Sequence, residues 1–269
     1  MNFKTNILVL LLTFTCTFSF AQVRSSITGY KNKSRAHNKP LNYINNIKGT
    51  AFLGTSKYTG DIAGRLDAWH KNSLAFGFGA QYRYNEHISF RTDLNFVHIQ
   101  GHDEHSKNST RNLSFETEIY EWNVYGVYDL FRFNKMYRRR AKFTPYGALG
   151  FGAFYYNPKA KLDGETYSLR KYETEGVSYS SINFSLQFGG GIRYKLSPHI
   201  DLGFEVMYRD TFTDYLDDVS TTYPTDILTW SDPVRQNLSY RQEDRPIEKA
   251  PGQQRGNPDK KDSYLTFGF

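Results

Sequence analysis

The sequence predicts an all-β fold: an eight-stranded antiparallel transmembrane β-barrel with long extracellular loops. Three observations carry this reading. The first is a one-sided alternation that recurs after residue 47. Leu74, Phe76, Phe78, Ala80, Tyr82 and Tyr84 take one side of a period-two pattern, and Ala75, Gly77, Gly79, Gln81 and Arg83 the other. Such a strand has one aromatic-rich apolar face and one small or polar face. The second is an aromatic content of 17% in a chain whose mean hydropathy is only −0.63. A barrel reconciles the two, because only alternate residues must be apolar. The third is an export signal followed by no run of the roughly 20 apolar residues that a membrane helix needs.

The signal is expected over residues 1–21. Lys4 supplies its positive end and Ile7 to Phe20 its apolar core. Ser19 and Ala21 are the small residues that place the cut before Gln22. The single cysteine, Cys16, lies inside this segment. The mature chain is therefore expected to hold no disulfide, thiolate metal site or cysteine nucleophile. Residues 22–47 read as a basic periplasmic extension, and residues 48–269 as one outer-membrane barrel domain.

The strands are placed at about 48–58, 73–84, 88–100, 114–130, 143–156, 178–196, 200–213 and 261–269. In the third, Ile88, Phe90, Leu94 and Phe96 face one way, and Ser89, Arg91, Asp93 and Asn95 the other. The fourth sets Trp122, Val124 and Tyr128 toward lipid and Glu121, Asn123 and Asp129 inward. Pro145 is tolerated at the start of the fifth. The sixth alternates Ile182, Phe184, Leu186 and Phe188 with Asn183, Ser185, Gln187 and Gly189. Its Gly189-Gly190-Gly191 run sits within a strand, which argues for close interior packing rather than a phosphate loop. The seventh puts Leu202, Phe204, Val206 and Tyr208 outside, and Glu205 and Arg209 inside. The eighth ends on Phe269, with Leu265 and Phe267 on the same face. This pattern matches the C-terminal signal of barrel-assembly clients.

Connection lengths set the orientation. Turns at 85–87, 131–142 and 197–199 fall on one side. Loops at 59–72, 101–113, 157–177 and 214–260 fall on the other. Outer-membrane barrels keep short turns periplasmic. The net charge is +7, and it is concentrated. Residues 22–48 carry Arg24, Lys31, Lys33, Arg35, Lys39 and Lys48 with no acid, and residues 131–142 carry Arg132, Lys135, Arg138, Arg139, Arg140 and Lys142 with no acid. Both segments fall on the short-turn side. For an exported chain, an acidic partner or an anionic lipid surface fits better than nucleic acid.

The predicted lumen holds Arg91, Asp93, Glu121, Asp129, Arg193, Glu205 and Arg209. Eight strands enclose space for little beyond their own side chains, so these charges are expected to pair as a structural plug. No cofactor is expected. His98, His102 and His105 near Asp103 and Glu104 match no tight metal-ligand spacing. Asp217-Asp218, beside Ser220, Thr221 and Thr222, lacks the regular spacing of a calcium loop and reads as turn and capping chemistry.

Four segments together resemble one family. They are Ser56-Lys57-Tyr58-Thr59-Gly60-Asp61; Phe143-Thr144-Pro145-Tyr146 leading through Gly150-Phe151-Gly152 to Asn157-Pro158; Thr174-Glu175-Gly176; and the run from Arg209-Asp210-Thr211-Phe212 through Asp217-Asp218 to Tyr223. The chain thereby resembles the PorG-type outer-membrane barrels of the type IX secretion system. The resemblance implies a non-enzymatic barrel in the outer membrane. It implies contact with a periplasmic ring of PorK-like lipoprotein and PorN-like protein, in a machine that exports proteins and in some bacteria powers gliding. On that reading Arg138, Arg139 and Arg140, helped by Lys31, Lys33 and Arg35, are the expected partner contacts. The alternatives are a small porin or carrier for an apolar solute, and a lipid hydrolase built on a Ser–His pair.

Overall fold

The computed structural model describes residues 46–62, 73–103, 109–134, 136–242 and 245–269. The signal segment and the extension carrying Lys31, Lys33 and Arg35 lie outside these residues, as do Glu104, His105 and Lys135. The strands are β1 (Ile47–Thr59), β2 (Ser73–Arg83), β3 (Ile88–His102), β4 (Ser114–Asp129), β5 (Phe143–Leu162), β6 (Glu165–Ser168), β7 (Ile182–Lys195), β8 (Asp201–Thr211) and β9 (Ser263–Gly268). Two short helices, α1 (Leu169–Tyr172) and α2 (Pro233–Ser239), lie in the long connections.

Eight of these strands close into an antiparallel barrel in the order β1-β2-β3-β4-β5-β7-β8-β9, with β9 returning to β1. This is the predicted architecture with one addition. The segment 157–177, expected as loop, carries β5 on to Leu162, a hairpin to β6, and α1. The hairpin turn is Asp163-Gly164, with φ of 53° and 87° at its two residues. Both central residues thus adopt the left-handed conformation that two-residue hairpins favour and that Asp-Gly accommodates at little cost.

The wall is inverted relative to a soluble protein. Phe78 is 64% exposed and Phe151 66%, while Ala75 and Asn123 on the opposite face are fully buried. Leu74, Phe90, Leu94, Trp122, Phe184 and Leu202 extend the exposed apolar belt around the barrel. No soluble chain keeps so continuous a belt in water, and lipid contact accounts for it.

The seam between β1 and β9 depends on two glycines set opposite each other. Gly54 pairs with Gly268. A Cβ on Gly54 would lie 2.8 Å from the Gly268 Cα, and one on Gly268 would overlap the Gly54 backbone. Just beyond them the Leu53 amide donates to the Phe269 carbonyl (2.7 Å), and the Phe269 amide to the Leu53 carbonyl (2.9 Å). The Phe269 ring also packs edge-on against Phe204, 5.4 Å between centroids. Gly54→Val is expected to cost about 1–3 kcal/mol, the usual range for forcing extra volume into a packed site. The shift of the folded band in unheated electrophoresis, followed against urea, measures it. An unchanged midpoint would show that the seam relaxes freely.

Gly189 and Gly191 have a packing role of the same kind. Their missing side chains leave space for Met207 and for the Tyr146 hydroxyl, 2.7 Å and 2.8 Å from where a Cβ would stand.

Candidate functional site

The lumen is filled in layers. In the first, Glu121 is the hub. Arg209 Nε lies 2.9 Å from its Oε1. Asn123 donates to Oε2 (2.8 Å), Asn95 does so at 3.3 Å, and the Tyr264 hydroxyl donates to Oε1. Arg209 also reaches Thr266 (2.6 Å), while Gln187 bridges Asn123 (2.5 Å) and Ser185 (3.1 Å). Period two delivers all these groups inward from β3, β4, β7, β8 and β9.

The second layer is an arginine fork. Arg91 donates from Nη1 and Nη2 to the two Glu205 oxygens at 2.6 and 3.0 Å. Its Nε lies 2.9 Å from Asp93, and its guanidinium stacks 4.6 Å from the Tyr125 ring centre. The Tyr146 hydroxyl donates to Glu205 at 2.7 Å. A planar guanidinium held between two carboxylates suits a low-dielectric interior.

The third layer closes the short-turn mouth. Asp129 takes Arg83 (2.9 Å) and Arg193. Asp201 takes Lys48 (2.9 Å) and Arg140. The structure thus joins the predicted Arg91, Asp93 and Glu205 in one layer and Glu121 with Arg209 in another. It sets Arg193 apart, with Asp129. Sequence reasoning did not place Arg83, Lys48, Arg140 or Asp201 here. The inward parity of Arg83, shared with Gln81, was the available signal for one of them.

On the short-turn side, Arg138 and Arg139 belong to a single 3-10 turn, Tyr137–Arg139, and both are exposed. Neither guanidinium has an ion pair or hydrogen bond among the described residues. Arg140 is different. It folds inward onto Asp201, and its guanidinium lies 5.0 Å from the Phe133 ring centre. The expected arginine triplet is therefore an exposed pair plus one structural residue.

At the opposite mouth, the long loops build a cap with a polar interior. The Tyr58 hydroxyl sits against two carboxyl groups, Asp217 (2.7 Å) and Asp262. Asp217 also accepts from the Ile62 and Val219 amides, at 3.1 and 2.9 Å. Asp262 accepts from the Leu216 amide at 2.9 Å. Arg255, fully enclosed, meets Glu175 (2.9 Å) and Asp218 (3.7 Å). Glu175 in turn accepts from the Ser220 and Thr221 amides, at 2.9 and 3.0 Å. Arg111 forks onto Asp103 with two 2.7 Å bonds. Apolar side chains around this network include Leu216, Val219, Ile227 and Leu238. All four long connections meet here.

Burial pushes the Asp217 and Asp262 carboxyls upward, with the charge of Asp61 adding to the shift at Asp217 and that of Asp217 adding to the shift at Asp262. Asp218 is pushed up to about 6 by burial, with Arg255 opposing the shift. Asp214 is pushed up to about 7, first by burial and then by Asp61 and Glu175. Asp217-Asp218 is accordingly an internal tie rather than an open turn.

Among the described residues, no group of three or more His, Asp or Glu side chains is arranged to hold a metal. Asp103, expected at a polar histidine cluster, is committed to Arg111 and to the Leu113 amide (3.1 Å). His87 Nδ1 is held by the Asp129 carbonyl at 2.7 Å, and His98 Nε2 has no hydrogen-bond partner among the described residues.

Two solved structures of outer-membrane barrels are similar to this chain. Neisserial surface protein A is 16% identical, with 61% of this chain and 83% of that one covered and a TM-score of 0.37. Ail, the attachment invasion locus protein of Yersinia pestis, in complex with the heparin analogue sucrose octasulfate, is 17% identical. That match covers 60% of this chain and 85% of Ail, with a TM-score of 0.36. No curated protein matches the sequence. The model of a family described as a domain of unknown function, DUF6089, matches residues 37–227, a span that runs from ahead of β1 past β8 into the cap. The chain belongs to the DUF6089 family.

Proposed function

We propose that this barrel is a non-enzymatic outer-membrane component of the type IX secretion machine, anchored by its wall and contacting the periplasmic ring through its short turns. The observation that carries this reading is the exposed Arg138–Arg139 pair. The two guanidiniums stand in the longest short-side turn, in a stretch with no acid, and nothing among the described residues neutralises them. Exposed like charges of this kind serve docking better than stability. PorK-like and PorN-like proteins are the partners that the four sequence segments imply, with Lys31, Lys33 and Arg35 of the basic extension as further contacts on the same reading. The packed lumen weighs against the carrier alternative, because its centre is occupied by Glu121, Arg209, Tyr264, Arg91 and Glu205.

The test is charge reversal of the exposed pair. Arg138→Glu with Arg139→Glu is expected to leave the barrel folded and to reduce ring protein co-purified from detergent-solubilised outer membrane by about tenfold or more, the scale of losing a few kcal/mol of charge complementarity. Secretion should fall with it. If the ring co-purifies undiminished and secretion is intact, the turn is not the contact.

A further inference from the structure

The short-turn mouth has a charge imbalance that the barrel does not resolve. Five cationic side chains converge there, Lys48, Arg83, Arg140, Arg193 and Lys195, against the two carboxylates Asp129 and Asp201. Three positive charges are left over. Arg132, also at the cleft, is already matched by Glu86 at 2.6 Å.

These cations are not spread over open surface. The side chains of Arg83, Arg140 and Arg193 are only 11%, 12% and 17% exposed. Arg83 and Arg193 share the inward parity of their strands, and Arg140 reaches in from the 131–142 turn onto Asp201. The Phe133 ring gathers three of the charges, with Arg83 4.0 Å and Lys48 and Arg140 each 5.0 Å from its centre. Lys195 spends its ammonium on the Tyr137 and Arg140 carbonyls, at 2.8 and 2.7 Å. Arg83 Nε is buried and has no hydrogen-bond partner among the described residues. The turn that borders the mouth, 131–142, contains no acid at all. Half-buried cations without counter-charge are costly, so the arrangement is complete only with a further anion.

We propose that the short-turn mouth is an oxyanion site for a phosphate-type group, held by Arg83, Arg140 and Arg193 with the Thr144 hydroxyl at its side. A carboxylate brings one negative charge. A phosphate monoester brings about 1.5 to 2 and three acceptor oxygens, which suits an excess of three cations better. Guanidinium forks match such oxygens pairwise. The site is separate from the exposed Arg138–Arg139 pair and does not depend on its role.

The full chain in neutral detergent, titrated calorimetrically with inorganic phosphate at low ionic strength, tests this. Saturable binding of about one phosphate per chain is expected. Arg83→Gln should weaken it about tenfold or more, because a guanidinium whose Nε has no partner among the described residues is lost. This variant leaves Asp129 paired with Arg193, so the barrel should fold, and its heat-modifiable band checks that. Arg83→Lys, which keeps the charge but not the fork, should recover binding only in part.

Reconstitution distinguishes the source of the anion. In phosphatidylcholine vesicles phosphate should still bind. If phosphatidic acid, a lipid phosphate monoester, added to those vesicles weakens phosphate binding, the site takes a lipid headgroup; if it does not, the site takes a free phosphate group. Absence of saturable binding in detergent and in phosphatidylcholine overturns the proposal. So does equal affinity in Arg83→Gln, or binding of a polyglutamate peptide where phosphate does not bind.

Discussion

Glu121→Ala is expected to destabilise the barrel by about 3–5 kcal/mol, the cost of removing one partner from a buried ion pair. The reason is the number of groups that share this carboxylate. Arg209, Asn95, Asn123 and Tyr264 all converge on it. Its removal leaves Arg209, 2% exposed, charged and without its carboxylate in the centre of the lumen. Tyr264 belongs to β9, so the same carboxylate also ties β9 across the lumen to β4. Glu121→Gln keeps the shape and one acceptor oxygen but not the charge. It should fall between the native protein and Glu121→Ala. Paired removal, Glu121→Gln with Arg209→Met, should recover much of the loss, because a buried pair replaced by apolar volume is often near neutral. Urea unfolding in lipid vesicles, followed by the fluorescence of the three tryptophans, measures all three variants. A loss below about 1 kcal/mol for Glu121→Ala would mean that water enters the lumen and screens Arg209.

The layered lumen explains which features the sequence could reveal. Strands were legible because lipid imposes one rule on every residue: Phe76 out, Gly77 in, Phe78 out. Inward charges were legible for the same reason, since Arg91, Glu121, Glu205 and Arg209 fall at inward parity. Their pairing was not, because it depends on the stagger of strands around the barrel. Arg91 and Glu205 are 114 residues apart, and Arg209 and Glu121 are 88 apart. Arg140 read as one of a basic triplet until β8 brought Asp201 beside it.

The limits of the pattern appear where the chain leaves the membrane. Past Tyr156, alternation no longer separates lipid from lumen, and β5 continued to Leu162 without an apolar outer face to mark it. Asp163-Gly164 was the local signal for the hairpin that follows. The cap was less accessible still. Tyr58 meets Asp217 across 159 residues and Asp262 across 204, and no local pattern encodes such partners. The segments that carry the family resemblance nevertheless meet in it: Tyr58 and Asp61, Thr174 and Glu175, Asp217 and Asp218. Those residues are engaged in holding the long loops together.

The cap is expected to tighten as pH falls and loosen as it rises. The geometry around Tyr58 requires this. Its hydroxyl has one proton, yet it lies within hydrogen-bond distance of both Asp217 Oδ2 and Asp262 Oδ1. One contact uses the tyrosine proton, so the other needs a proton on a carboxyl. Asp61 and Asp214 add negative charge nearby, and Arg111 opposes it. Both carboxyls are therefore held above the ordinary range of about 4, burial being the first cause. A carboxyl whose folded-state value is raised contributes stability that is complete below its unfolded value. That stability is lost as pH climbs through the folded value, by at most about 1.4 kcal/mol per pH unit for each group. Asp218 and Asp214, pushed up to about 6 and about 7, place the loss across neutral pH. The Ile62, Leu216 and Val219 amides donate directly to this pair. Their hydrogen-exchange protection, corrected for intrinsic rates, should fall between about pH 5 and 9 while strand amides such as that of Val97 hold. Asp217→Asn, which keeps the hydrogen-bonding shape without a titrating group, should flatten most of the dependence. Protection that stays level or rises with pH in the native protein would show that the two carboxyls do not share a proton.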